Sequence, residues 1–201
     1  MAYELEVTAE MLLMSGQSST SRSSSIGQLG ADAHPETALV NAVLAGNNDE
    51  FGTLYAMYAP LVHGILLARI PRDAVDDLVQ DIFLHALRKL HTLRDSRAFG
   101  PWIAMIARNR AIDFYRSARE TVEITEDLQT TGPPSSTATE ILDTICALPD
   151  AYRETLVLRL VEGMTGPEIA ARTGLTPDSV RVNLHRGMKL LRKKLGLKET
   201  T

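Results

Sequence analysis

The chain has 201 residues, a net charge of −4 with histidine neutral, 44 % hydrophobic and only 5 % aromatic residues, and one cysteine, Cys146. That length suits one ordinary domain or two small ones, and the scarcity of aromatics and β-branched runs favours helices over sheets. A lone cysteine excludes a disulfide framework within the chain and fits a reducing cytoplasm, and no apolar run approaches the roughly 20 residues that span a bilayer. Met11-Leu12-Leu13-Met14 follows acidic rather than basic residues, so neither a signal peptide nor direct membrane insertion is expected.

Residues 1–34 are expected to form a disordered Ser-rich extension. The run Ser15-Gly16-Gln17-Ser18-Ser19-Thr20-Ser21-Arg22-Ser23-Ser24-Ser25 cannot bury enough apolar surface to offset its ordering entropy, and at most a short helix forms around Glu4–Met14. The first domain is expected over 35–119. Glu36–Ala45 is predicted as a short helix closed by Gly46-Asn47-Asn48. A second helix opens after Asn48 as N-cap and carries Phe51, Leu54, Tyr55, Tyr58, Val62 and Ile65 at helical spacing, with Pro60 expected to kink or break it. Pro71 and Asp73 open a third helix with the apolar stripe Val75, Leu78, Val79, Ile82, Ala86, Leu87 and Leu90. Its other face holds Asp77, Gln80 and Asp81, a surface suited to a basic partner.

After a loop from His91 to Gly100, Pro101 sits in the first turn of a fourth helix running to about Arg119. On it Trp102, Met105, Asn109 and Arg116 share a face. An aromatic, an amide and basic groups together suit unstacked bases and phosphates, with core packing the alternative for Trp102. Asp113 is expected to be a cap or a core hydrogen-bond acceptor. Residues 120–138, with the breaker cluster Thr130-Thr131-Gly132-Pro133-Pro134-Ser135-Ser136-Thr137, form a flexible linker.

A second domain is expected over 139–197. Leu148-Pro149-Asp150 precedes a helix that turns Leu156, Val157 and Leu160 inward and ends at Gly163. Thr165 or Gly166 caps the next helix, with Pro167 and Glu168 in its first turn. Gly174 then makes a turn where positive φ costs glycine little, and Thr176 caps a final helix. On that helix Val180, Leu184, Met188 and Leu191 face inward, while Arg181, Val182, His185, Arg186 and Lys189 face outward. From Ser179 to Lys198 there are seven basic residues and no acidic ones. This is a helix-turn-helix with a basic second helix, which fits the major groove, where base edges can be told apart. Arginine can donate a bidentate pair to guanine, whereas Lys189 and Arg192-Lys193-Lys194 suit phosphates. Cys146 lies among Ile141, Leu142, Ile145 and Leu148, the setting of a buried structural thiol. No glycine-rich phosphate loop, metal-spaced His/Cys cluster or nucleophile triad is found, so neither an enzyme nor a cofactor is expected.

Five blocks in order resemble RNA polymerase sigma factors of the sigma-70 family, in the extracytoplasmic-function group. They are Phe51-x-x-Leu54-Tyr55-x-x-Tyr58-Ala59-Pro60, Asp76-Asp77-Leu78-Val79-Gln80-Asp81-Ile82-Phe83, Phe99-x-x-Trp102-Ile103-x-x-Ile106-Ala107-Arg108-Asn109-x-x-Ile112-Asp113, Leu148-Pro149-x-x-Tyr152-Arg153, and Glu168-Ile169-Ala170 with Val180-Arg181-x-x-Leu184-His185-Arg186. The resemblance implies an all-α protein of two small helical domains, like sigma regions 2 and 4. It implies that Asp77, Gln80 and Asp81 bind the clamp coiled coil of the polymerase β′ subunit, with the β subunit a further contact. It implies that Arg94, Phe99, Trp102, Asn109 and Arg116 serve −10 recognition and melting, Asn109 lining a pocket for a flipped non-template base. Arg181, Val182, His185, Arg186 and Lys189 would read the −35 element. Val182 and Asn183 depart from the small polar and basic residues frequent there. The linker corresponds to a segment threading towards the polymerase active centre, and an anti-sigma factor, often membrane-anchored, is an implied partner. A mimic that sequesters an anti-sigma factor and a stand-alone helix-turn-helix regulator remain the alternatives. The retained Arg94, Phe99, Trp102, Asn109, Arg181 and Arg186 speak against the mimic.

Overall fold

The computed structural model describes residues 35–121 and 137–196. The Ser-rich extension with its short helix, most of the linker (122–136) and Lys198 lie outside the described residues. Among the described residues there are eight α-helices, three 3₁₀ turns and no strand. The first half holds α1 (Pro35–Leu44), α2 (Glu50–Leu67), α3 (Val75–Lys89) and α4 (Phe99–Thr121). The second holds α5 (Thr137–Cys146), α6 (Asp150–Leu160), α7 (Gly166–Thr173) and α8 (Pro177–Lys194).

In the first half α2 is the central helix, packed against α1, α3 and α4. Pro60 does not break it. A proline inside a helix costs about 3 kcal/mol, but Leu54 and Tyr58 before it and Leu61, Val62, Ile65 and Leu66 after it are all buried. Burying one such side chain contributes roughly 1.5–3 kcal/mol, so packing on both sides holds the helix together. The turn is capped at Asp49 rather than Asn48, without a side-chain hydrogen bond. Pro71 opens a 3₁₀ turn, Arg72–Ala74, before α3 begins. Asp76 and Asp77 then occupy the first turn of α3, and Arg88 and Lys89 its last, both in accord with the helix dipole. Phe51 meets Phe83 edge to face and Tyr55 meets it at a tilt, with ring centroids 6.2 and 4.6 Å away. Helix α4 starts at Phe99, two residues before Pro101, because the Asp95 carboxylate accepts the Arg97 N–H at 3.0 Å and orders the turn leading in.

In the second half α7 and α8 form the helix-turn-helix against α6. Thr165 and Glu168 make a reciprocal capping box at α7: the carboxylate accepts from the Thr165 N–H at 2.8 Å and its hydroxyl at 2.7 Å. Gly174, at φ +77°, ends α7, and the Thr176 hydroxyl accepts from the Ser179 N–H to start α8. Gly187 on α8 faces α6 so closely that a Cβ there would lie 3.0 Å from a Leu156 methyl and 3.2 Å from the Tyr152 Cβ.

The two halves pack against each other, which the reading as domains on a flexible linker did not anticipate. Glu154, Thr155, Leu156, Val157 and Leu158 are all buried. Five consecutive residues cannot share one face of a helix with 3.6 residues per turn, so α6 is covered on two sides. One cover is α8; the other is α2 of the first half.

Candidate nucleic-acid interface

The outward face of α8 is as expected from its period. Val180 and Leu191 are buried, whereas Arg181, Val182, His185, Arg186 and Lys189 are exposed. The one departure on the inner side is Gly187, buried between Leu184 and Met188, which are only half-buried. Arg181 is held by Asp178 one turn earlier at 3.1 Å, and both side chains are about four-fifths exposed. An ion pair this exposed contributes on the order of 0.5 kcal/mol, so a phosphate or base edge can displace it.

On α3, Asp77, Gln80 and Asp81 are exposed beside one another. The residues expected at the −10 element are less uniform. Arg94, Asn109 and Arg116 are exposed, and Trp102 is half-buried. Phe99 is fully buried, wedged between Tyr58 at 4.9 Å and Trp102 at 5.8 Å between ring centroids, so in this arrangement its ring is closed to a base. Asp113 is not a core acceptor: it lies at the surface, 3.7 Å from Arg116 on the next turn.

Sequence reasoning missed a second set of residues, which joins the halves. Glu154 on α6 is buried and is gripped by two arginines of the first half. Arg108 on α4 donates through Nε to Oε2 at 3.1 Å and through Nη2 to Oε1 at 2.7 Å, a bidentate fork. Arg69, just past α2, reaches Oε2 at 2.5 Å. Burial pushes the Glu154 carboxyl up, but hydrogen bonds and charge from Arg108 and Arg69 outweigh it and hold the group below the usual carboxylate range. In return α7 sends Arg172 into the first half, donating to the Met57 carbonyl at 3.0 Å and lying 5.5 Å over the Tyr58 ring. Burial, with Glu36 adding and Arg172 opposing, pushes the Tyr58 hydroxyl up to about 12, so that ring stays neutral. The signal for this set was the consecutive apolar run Leu156-Val157-Leu158 on α6, too wide for one helix face, matched by the largely apolar Leu61–Ala68.

His63 on α2 completes the contact, its Nδ1 lying 2.6 Å from Glu162. The hydrogen bond to Glu162 raises His63 above its ordinary value of 6.5, burial lowers it, and the charges of Glu162 and Asp76 raise it further. A raised folded-state pKa means the stabilisation is full below 6.5 and is lost as pH rises through the folded value. Exposure of the His63 side chain is 36 %, so solvent screens the pair and the effect is modest. The melting temperature is expected to fall from about pH 6 to about pH 8, and His63→Gln should flatten that part of the profile. An identical slope in His63→Gln would show that other groups carry it. Cys146 sits at the same junction, donating to the Leu67 carbonyl at 3.6 Å. Burial pushes its thiol up, which leaves little thiolate for redox chemistry.

Among the described residues no group of His, Cys, Asp and Glu is placed to hold a metal ion, and no helix is long and apolar enough to cross a membrane. Residues 54–121 match the family model for Sigma-70 region 2, and residues 138–191 that for Sigma-70, region 4. The chain is 34 % identical to RNA polymerase sigma factor CarQ of Myxococcus xanthus, over 75 % of this chain and 92 % of that protein. It is 31 % identical to ECF RNA polymerase sigma factor BldN of Streptomyces coelicolor, over 76 % of this chain but 63 % of that longer protein. Among solved structures it is similar to CnrH in complex with the cytosolic domain of CnrY, with TM-score 0.57 and 28 % identity, covering 80 % of this chain and 97 % of that one. The acidic face on α3 and the basic outward face of α8 thus fall in the two matched regions, and the chain belongs to the sigma-70 family of RNA polymerase sigma factors, in its extracytoplasmic-function group.

Proposed function

We propose that this sigma factor binds core RNA polymerase through the α3 face of Asp77, Gln80 and Asp81 and directs it to promoters by reading −35 and −10 elements and melting the duplex. The observation that carries this reading is the phase of α8. Its arginines, histidine and lysine project outward from a capped helix-turn-helix while its apolar residues lock onto α6. A groove-reading helix needs that division. Arg94 ahead of α4 and Asn109 and Arg116 along it, all exposed, supply groups for an opened strand, and Trp102 supplies a stacking surface.

The protein supplies specificity, and the chemistry of RNA synthesis stays with the polymerase. It works in the cytoplasm, on nucleoid DNA. CnrH is solved with the cytosolic domain of CnrY, which supports an anti-sigma partner here too, one able to hold the protein at the membrane when it is itself anchored. The test is run-off transcription from genomic fragments with core polymerase, with and without the protein, mapping transcript 5′ ends. New discrete starts sharing paired upstream elements are expected. Absence of new starts together with failure to co-purify with core polymerase would favour a mimic or a stand-alone regulator.

A further inference from the structure

Helix α8 carries an apolar side chain in the middle of its otherwise basic face. Val182 is 40 % exposed, and among the described residues of α8 no other large apolar side chain is exposed. A single exposed valine is ordinary on a protein surface. The phase of this one is not. Val180 and Leu191 are buried, and Gly187 faces Leu156 and Tyr152 of α6. At 3.6 residues per turn, Val182 lies about 200° round the helix from Val180, which places it at the centre of the outward face. His185 and Arg186, both exposed, follow it by three and four residues and flank it on the next turn. Arg181 lies towards the margin, held by Asp178 at 3.1 Å. Val182 also sits in the N-terminal half of α8 (Pro177–Lys194), the part that meets base edges when such a helix enters the major groove. Arg192, Lys193 and Lys194 occupy the last turn, at the far end.

The centre of an inserted face looks onto the groove floor, and its margins look towards the phosphates. That floor offers hydrogen-bond donors and acceptors and one apolar group, the 5-methyl of thymine. An isopropyl group has no hydrogen bond to give. Pressed on a donor or acceptor, it would strip that group of water and leave it unpaired. Pressed on a methyl, it removes apolar surface from water on both sides. Valine's branching leaves one strongly preferred χ1 rotamer in a helix, so little freedom is lost on docking. We infer that Val182 is a specificity-determining residue whose isopropyl group reads the 5-methyl of one thymine in the −35 element. The inference rests on the proposed −35 role of α8 and adds the chemical feature that the centre of its face recognises. Arg186 stands about 6 Å further along the helix axis, at about 1.5 Å per residue, against a base-pair spacing of about 3.4 Å. The thymine and the Arg186 contact therefore fall within a few base pairs of each other.

The experiment uses the full chain in complex with core polymerase and the −35 element mapped by run-off transcription. Each thymine of the element, on either strand, is replaced in turn by deoxyuridine, which lacks only the methyl. One replacement should weaken binding about fourfold, the effect of removing one buried methyl. Val182→Ser takes away both valine methyls, and serine matches valine in helix propensity, so the exposed substitution leaves the fold intact. This variant should bind the thymine and uracil duplexes equally. His185→Ala and Arg186→Ala should bind more weakly yet keep the fourfold difference. With cytosine in place of the sensitive thymine the parent should bind more weakly, and 5-methylcytosine should bind about fourfold better than cytosine, since it returns the methyl alone. Val182→Ser should not distinguish those two. The inference is overturned if no thymine is sensitive, or if Val182→Ser keeps the sensitivity. The second result would assign the methyl effect to DNA shape or to another side chain. Failure of the promoter role looks different: the parent complex would start no discrete transcripts and define no element, and the Val182 contact would fall with it.

Discussion

Protein carrying Asp77→Lys together with Asp81→Lys is expected to lose core polymerase by about 100-fold or more while remaining folded, because like-charge juxtaposition across an interface costs several kcal/mol. The two costs are well separated in size. Both side chains are exposed, so their replacement leaves no cavity and strands no buried partner. Asp77 lies in the first turn of α3, where an acid gains typically 0.3–1 kcal/mol from the helix dipole, and that is the main structural loss. Core binding would be measured by co-purification and competition, and folding by the helical circular dichroism and its melt. Unchanged co-purification would remove this face from the polymerase contact. Gln80→Ala serves as the milder companion, losing a hydrogen-bonding group without introducing charge, and should weaken binding by about tenfold or less.

What could be read from residues alone follows from where a local rule had no competitor. The helix-turn-helix was legible down to its caps, since Thr165 with Glu168, Gly174 and Thr176 each solve a local backbone problem that no distant contact overrides. The amphipathic stripes of α3 and α8 were legible for the same reason. Pro60 misled because the rule for proline in a helix is also local, whereas the answer was set by side chains that α1, α3 and α4 bury along α2. Asp113 misled in the opposite direction, since a motif position does not say whether its side chain points into a core or, as here, out beside Arg116. The joint between the halves was hidden because its partners are distant in sequence: Arg69 and Arg108 are separated from Glu154 by the very segment that was expected to keep the domains apart. Only the unbroken apolar run Leu156-Val157-Leu158, on a helix whose free face should have been polar, pointed to it.

Arg186→Ala is expected to weaken binding to the −35 element by roughly 5- to 150-fold, the equivalent of about 1–3 kcal/mol for one bidentate base contact. Arg186 is exposed on the outward face of α8, one residue past His185 and one turn beyond Val182. Arg181, by contrast, enters the interface already paired with Asp178, so part of its gain on binding is offset by the pair it gives up. Arg186 should therefore show the larger loss of the two. The form of the loss separates two roles. A base-reading Arg186 loses discrimination: the variant binds the preferred element and a single-base substitution of it about equally, while the parent protein prefers the first. A phosphate-binding Arg186 weakens both alike and lowers the slope of log affinity against log salt by about one. Titration of the two duplexes at several salt concentrations distinguishes these cases. If affinity, preference and salt slope all stay as in the parent, α8 meets the groove through a different edge, and Arg181 with Lys189 would then be the pair to test for it.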